Sequence, residues 1–129
     1  MRSVDTNVIV RWLLRDDPVQ AAAADSAMNA PIEITHTVFL ELGWVLTTVG
    51  RMSREQFADA MVAILSIDDA TIEKRKLLLW ATDRFRGGAD WGDVMHLAGT
   101  SAALTFATFD KSLPREAGSA PPVPVEVIG

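Results

Sequence analysis

The feature that most constrains the fold is an alternation of short apolar segments with longer segments of helical periodicity. A strand signal opens at Val4, a second covers 32–35, and a third, short and apolar enough to be buried, covers 104–109. A Val-rich tail that contains three prolines predicts a further short strand at a sheet edge. Helical segments lie between these strands. The alternation predicts an α/β sandwich with a central, mostly parallel sheet of about four to five short strands.

Capping and stop signals set the expected limits of the helices. Asp17 before Pro18 marks a helix start, and Ser53 with Gln56 three residues later is a capping-box pattern. Gly87 is a stop signal. The expected helices cover about 6–14, 18–30, 37–49, 53–67, 73–86 and 90–102.

Composition restricts the chemistry. The chain of 129 residues has the length of one domain, expected to cover 1–129. It contains no cysteine, which excludes disulfides, cysteine-bound zinc, iron–sulfur clusters and thiol catalysis. Two histidines, His36 and His96, are too few for a His-rich metal site. A metal would therefore be bound by oxygen and would be a hard cation.

Neither a signal peptide nor a membrane span is expected. Asp5 interrupts the first apolar run too early for a signal-peptide core. The longest apolar stretch, 37–49, is too short for a membrane helix and contains Glu41. The sequence therefore predicts a soluble, cytoplasmic protein.

Five carboxylates occupy unusual positions. Asp5 and Asp110 come where predicted strands end, and Asp90 and Asp93 share one face at a helix start. Glu41 follows the helical spacing of its apolar neighbours and is expected on the buried stripe. Taken singly, the four aspartates are explained as helix caps or first-turn residues, and Glu41 as the partner of a buried arginine.

Taken together, the five acids indicate a metal site. Ligands of open α/β sheets bind at the carboxyl ends of the strands, where these acids would meet. Two like charges about 4 Å apart repel by about 4 kcal/mol at an effective dielectric constant near 20. A divalent cation offsets such repulsion, and oxygen ligands suit Mg²⁺ or Mn²⁺.

The same motifs resemble those of a known family. Val4-Asp5-Thr6-Asn7, Glu41 on an apolar helix, the segment 90–98 (DWGDVMHLA) and Thr108-Phe109-Asp110-Lys111 resemble the PIN-domain ribonucleases in order and spacing. The short single-domain form is similar to the VapC-type toxins of toxin–antitoxin pairs. The resemblance covers nearly the whole chain and implies a PIN-like α/β/α sandwich.

The resemblance also implies an activity and a set of residues. It implies endonucleolytic cleavage of RNA by water activated by Mg²⁺ or Mn²⁺, in a homodimer that a cognate antitoxin protein neutralises. Asp5 and Asp93 would bind the metal directly, while Glu41 and Asp110 would bind through water or hold a second ion. The remaining implied roles are a further ligand or cap at Asp90 and polar support from Thr6, Asn7 and Thr108. Independently of the resemblance, Arg84 and Arg86 precede the motif that opens at Asp90, a position that allows phosphate contact; a solvated helix face is the other interpretation.

Other functions remain open. A catalytically silent PIN-like binding or scaffold module fits the same sequence. A receiver-type phosphoacceptor domain fits less well, because Thr108 and Lys111 would lie on one strand and Asp5 lacks an acidic neighbour. A metal-dependent phosphatase with an aspartate nucleophile would need a second Asp at position 7, which is Asn7.

The net charge of −5 first argues against a nucleic-acid substrate. The chain has 17 acidic and 12 basic residues, so the five candidate acids account for the whole difference. Bound cations would make such a site attractive to phosphate. We therefore expect poor RNA binding without metal.

Overall fold

A computed structural model describes residues 1–100 and 105–129 of the chain. These residues form two compact units, Met1–Glu73 and Lys74–Gly129. Over the described residues the structure contains seven helices and five short strands, all paired in parallel. The predicted α/β class with short parallel strands is confirmed.

The first unit is built on a three-stranded parallel sheet. The strands run in the order β1, β2, β3, with Arg2 opposite Ile32 and Ile32 opposite Ala70. In this unit α1 packs against α2 and α3, and α3 packs against α4. The elements are β1 (Arg2–Ser3), α1 (Thr6–Leu14), α2 (Pro18–Met28), β2 (Ile32–Glu33), α3 (His36–Thr48), α4 (Arg54–Leu65) and β3 (Ala70–Thr71).

The second unit joins three helices to a pair of strands. In it α5 packs against α6, and α7 packs against both α6 and β5. Strand β4 pairs in parallel with β5, Phe106 lying opposite Val125. The elements are α5 (Arg75–Arg86), α6 (Trp91–Gly99), β4 (Phe106–Thr108), α7 (Leu113–Ala117) and β5 (Val125–Val127).

A small apolar core anchors α7. Leu113 and Ala117, on one side of this helix, are buried with Leu97 of α6 and with Val123. Pro114 and Arg115 of the same helix are exposed, and Glu116 is half-buried. This packing fixes the helix that carries Glu116, on which the site below depends.

Most expected helix limits are close to those observed. Asp17 caps α2 through the backbone N–H groups of Val19 and Gln20, and both hydrogen bonds of the Ser53–Gln56 capping box form. The expected helix over 90–102 is observed as Trp91–Gly99; residues 101 and 102 lie outside the described residues.

Some expectations about the strands and short helices need correction. Neither β3 nor α7 is expected from the sequence. The strand over 104–109 is observed only as Phe106–Thr108, position 104 being outside the described residues. Its description as buried is wrong, because Ala107 is exposed and its two neighbours are half-buried. Throughout the part of the chain that the structure describes, every helix is too short or too polar to cross a membrane.

Candidate metal centre

Three carboxylates of the second unit lie together. Asp93 comes from the first turn of α6, Asp110 from the turn after β4, and Glu116 from α7. One oxygen of each lies within 4.8 Å of the corresponding oxygens of the other two. Asp93 and Glu116 are half-buried and Asp110 is exposed. The cluster therefore offers carboxylate oxygens from three separate elements to one point.

Asp110 is oriented by its own turn. The hydroxyl of Ser112 donates to Asp110 Oδ1 at 2.6 Å, and the backbone N–H of Ser112 donates to the same oxygen at 2.8 Å. These two hydrogen bonds, the hydroxyl first, lower the pKa of Asp110. The backbone N–H of Asp110 donates to Thr108 Oγ1 at 3.0 Å. Thr108 thus supports the backbone of a carboxylate residue.

Asp93 is held in a strongly acidic setting. Asp90 caps α6 by accepting the backbone N–H of Asp93 at 3.0 Å, which fixes the first turn. Burial raises the pKa of Asp93 to about 6, assisted by a hydrogen bond to Glu116 and by the charges of Asp90, Glu116 and Asp110. The ionised form of Asp93 is therefore disfavoured unless a positive charge is added.

Glu116 is the residue that sequence reasoning missed. Its Oε1 accepts the backbone N–H of Asp90 at 3.1 Å. Its Oε2 is buried and, while Asp93 is ionised, has no hydrogen-bond partner among the described residues. A helix signal was present in the sequence, because Pro114 favours a first turn and Gly118 favours a stop. With that helix in place, Glu116 would have joined the candidate acids.

Asp5 and Glu41 belong to the first unit. Asp5 caps α1 by accepting the backbone N–H of Val8 at 3.2 Å. Glu41 accepts a hydrogen bond from the hydroxyl of the buried Thr6. The expectation that Glu41 lies on the buried stripe of its helix is wrong, since Glu41 is exposed. Its convergence with the acids of the second unit stays a prediction.

The buried face of α3 explains this error. The buried residues of the helix are Phe39, Leu42, Gly43 and Leu46. The spacing that placed Glu41 on a stripe runs through Val38 and Val45. This stripe is rotated by about one residue from the face that packs.

The remaining predicted site residues have varied surroundings. Asn7 is exposed and lines a small pocket between α1 and α2, together with Asp5 and Arg11. Arg84 directs its guanidinium at backbone carbonyls of α7, and Arg86 is the half-buried last residue of α5. Phosphate contact by these two arginines stays a prediction.

Comparison with known families gives a clear assignment. A family model for the PIN domain matches residues 3–118. The chain belongs to the PIN domain family. Membership suggests a metal-dependent nuclease, and the acidic cluster is in keeping with one. Neither the curated proteins nor the solved structures include a significant match to the chain.

Proposed function

We propose that this protein is a metal-dependent endoribonuclease that cleaves RNA phosphodiester bonds with Mg²⁺ or Mn²⁺. The observation that carries the proposal is Glu116 Oε2, a buried carboxylate oxygen for which the described residues supply no donor while Asp93 is ionised, next to two further carboxylates. A buried anionic oxygen without a partner is costly, so the arrangement calls for a cation.

The chemistry of the donor set fits a hard divalent cation. Asp93, Asp110 and Glu116 offer only carboxylate oxygens, which suit Mg²⁺ and Mn²⁺. A cation held by these residues would supply a bound water of lowered pKa and positive charge to offset the negative charge that develops on a phosphate. The turn at Ser112 keeps one carboxylate ionised for binding, since it lowers the pKa of Asp110.

We assign roles to the other acids by their surroundings and by the family resemblance. Asp90 is proposed to position the ligands, because its side chain caps α6 at Asp93 and its backbone N–H donates to Glu116 Oε1. Asp5 and Glu41 are proposed to complete the ligand set or to hold a second ion. Thr6 would then orient Glu41 through the hydroxyl hydrogen bond.

A cleavage assay tests the activity. Purified protein is incubated with a structured RNA in Mg²⁺, in Mn²⁺ or in EDTA, beside Asp93→Asn and the control Asp83→Asn, which changes an exposed carboxylate on α5. We expect cleavage by wild type and the control only with metal, and none by Asp93→Asn. Cleavage in EDTA, or full activity of Asp93→Asn, would overturn the proposal.

We further propose that the nuclease is the cytoplasmic toxin of a toxin–antitoxin pair, neutralised by a cognate antitoxin protein. The support is the resemblance of the motifs at 4–7, 90–98 and 108–111 to VapC-type toxins. Inducible expression in a bacterial host is the test. Wild type should arrest growth and Asp93→Asn should not; arrest by both would contradict an RNA-cleaving toxin.

A homodimer is the proposed assembly. Leu40 and Trp44, one helical turn apart on α3, are 36% and 67% exposed, an apolar surface suited to self-association. Light scattering should give twice the mass of one chain for wild type and a lower mass for Trp44→Glu. A monomeric wild type at micromolar concentration would contradict this assembly.

A further inference from the structure

Arg84 connects α5 to the end of α7. Its Nε donates to the carbonyl oxygen of Glu116 at 2.8 Å, and its Nη2 donates to that of Arg115 at 3.1 Å. The last carbonyls of a helix have no partners within the helix. A helix of five residues, such as α7, is also too short to be stable alone. The guanidinium therefore supplies hydrogen bonds that α7 needs to keep its last turn.

The same segment also holds the side chain of Glu116. The carbonyl oxygen of Arg84 accepts the N–H of Ala89 at 3.0 Å, which shapes the turn leading to Asp90. The next N–H, that of Asp90, donates to Glu116 Oε1 at 3.1 Å. Arg84 thus holds the backbone of Glu116 directly, through the hydrogen bond to its carbonyl oxygen. It holds the carboxylate of Glu116 indirectly, through the turn that positions the N–H of Asp90. The oxygen left over is Oε2, the atom without a donor among the described residues.

Gly118 provides the space in which the guanidinium lies. A Cβ atom at this position would be 2.7 Å from Cζ of Arg84 and 2.9 Å from its Nη1. Gly118 also has a φ of +79°, a conformation that L side chains rarely adopt. The backbone conformation favours glycine, and a Cβ atom at this position would displace the guanidinium of Arg84.

We propose that Arg84, seated against Gly118, is a positioning residue that sets Glu116 for cation binding. The proposal rests on the proposed function, in which Glu116 is a ligand. In this role Arg84 contacts the protein backbone that carries Glu116, in place of the RNA phosphate contact expected from the sequence. Lysine would keep the charge, but its single nitrogen cannot reproduce the planar fork that spans two carbonyls.

Metal affinity is the direct test. Mn²⁺ binding to the full chain is measured by titration with detection of free Mn²⁺ by electron paramagnetic resonance. Arg84→Lys should weaken the Mn²⁺ Kd by about 10- to 100-fold, the usual effect of removing a group that orients a ligand. Arg15→Lys is the matched control, because Arg15 forms a surface ion pair with Asp25; its Kd should equal that of wild type.

Cleavage kinetics separate positioning from contact with RNA. If Arg84 acts through Glu116, Arg84→Lys should lose activity at low Mn²⁺ and regain it at saturating Mn²⁺, with an unchanged KM for RNA. Gly118→Ala should also weaken Mn²⁺ binding, and the double variant should be less impaired than the product of the two single effects, since both act on one guanidinium. Gly118→Ala carries the test alone if Arg84→Lys does not fold.

The outcomes are distinguishable. Wild type that binds Mn²⁺ while Arg84→Lys binds it equally well would overturn the role of Arg84 and leave the proposed function standing. A raised KM of Arg84→Lys for RNA that excess Mn²⁺ does not correct would also overturn the positioning role, and would indicate that Arg84 contacts a phosphate of the RNA. Wild type that binds no Mn²⁺ would overturn the proposed function and this inference together.

Discussion

Asp93→Asn should stabilise the metal-free protein at neutral pH. The pKa of Asp93 is raised from 3.8 to about 6 by burial, then by the hydrogen bond to Glu116 and by nearby acidic charges. At pH 7, ionising Asp93 therefore costs free energy in the folded chain that it does not cost in the unfolded chain. Asparagine keeps the size of the side chain, removes the charge, and brings an amide that donates to Glu116.

The magnitude follows from the shift. A pKa raised from 3.8 to about 6 corresponds to about 3 kcal/mol. Asp93 is only half-buried, so solvent screening reduces this to about 1 kcal/mol, or about 3 to 5 °C in Tm for a chain of this size. Because the folded-state pKa is the higher one, the stability from protonated Asp93 is fully present below about pH 4 and is lost as pH rises through about 6. The gain in the variant should therefore appear at pH 7.5 and shrink at pH 4.5.

Urea unfolding in EDTA, followed by the fluorescence of the four tryptophans, measures this gain. Asp83→Asn, at an exposed carboxylate on α5, is the control and should show no gain that depends on pH. Lower stability of Asp93→Asn at pH 7.5, or an equal gain at both pH values, would refute the reasoning.

Excess Mn²⁺ should reverse the order of stability. A cation at 100 times its Kd stabilises the native state by about 2.7 kcal/mol, which exceeds the gain from removing the charge. Asp93→Asn lacks one ligand and should respond weakly. A gain in EDTA without reversal in Mn²⁺ would mean that the acids repel one another but do not bind a cation.

Two further predictions concern the first unit, and urea unfolding in EDTA tests both. Asp5→Ala removes the cap of α1 and should lower the free energy of unfolding by about 1 kcal/mol, whereas Asp5→Asn should stay within about 0.5 kcal/mol of wild type because Asn also caps. An equal loss of stability in both variants would contradict a capping role for Asp5. Thr6→Val should cost about 1 kcal/mol by removing the hydrogen bond to Glu41, and less in a Glu41→Ala background; equal costs in the two backgrounds would exclude the contact.

Local signals account for what the sequence predicted well. Ser53 with Gln56, and Asp17 before Pro18, fix helix starts through atoms within three residues, and both form as expected. Strand β3 was missed because two residues, Ala70 and Thr71, carry almost no pattern. It exists through pairing with β2, a partner distant in the chain. Such pairing is a property of the folded chain and is weakly encoded locally.

The error at Glu41 and the omission of Glu116 have different physical origins. Helix α3 is apolar on several sides, with Trp44 exposed and Phe39 buried, so periodicity alone gives two candidate faces about one residue apart. Glu116 was missed because α7 was not anticipated: its helix has five residues and is held by Arg84 and by apolar packing. Ligands of open α/β sheets bind at the carboxyl ends of strands, which predicts the position of an acid such as Asp110. The same principle does not predict a ligand on a short helix that only tertiary contacts stabilise.

The placement of Glu116 shows how the fold tolerates its acidic cluster. Repulsion among the carboxylates tends to push α7 away, and two features oppose it. Leu113 and Ala117 are buried in an apolar core, and the Arg84 guanidinium donates hydrogen bonds to two carbonyl oxygens near the C-terminal end of the helix. Both contacts leave the carboxylate of Glu116 unneutralised, since the guanidinium binds carbonyl oxygens and the other contact is apolar. The chain thus fixes the position of its acids while leaving their charge for a cation, which is the property that a metal-dependent nuclease needs from its ligands.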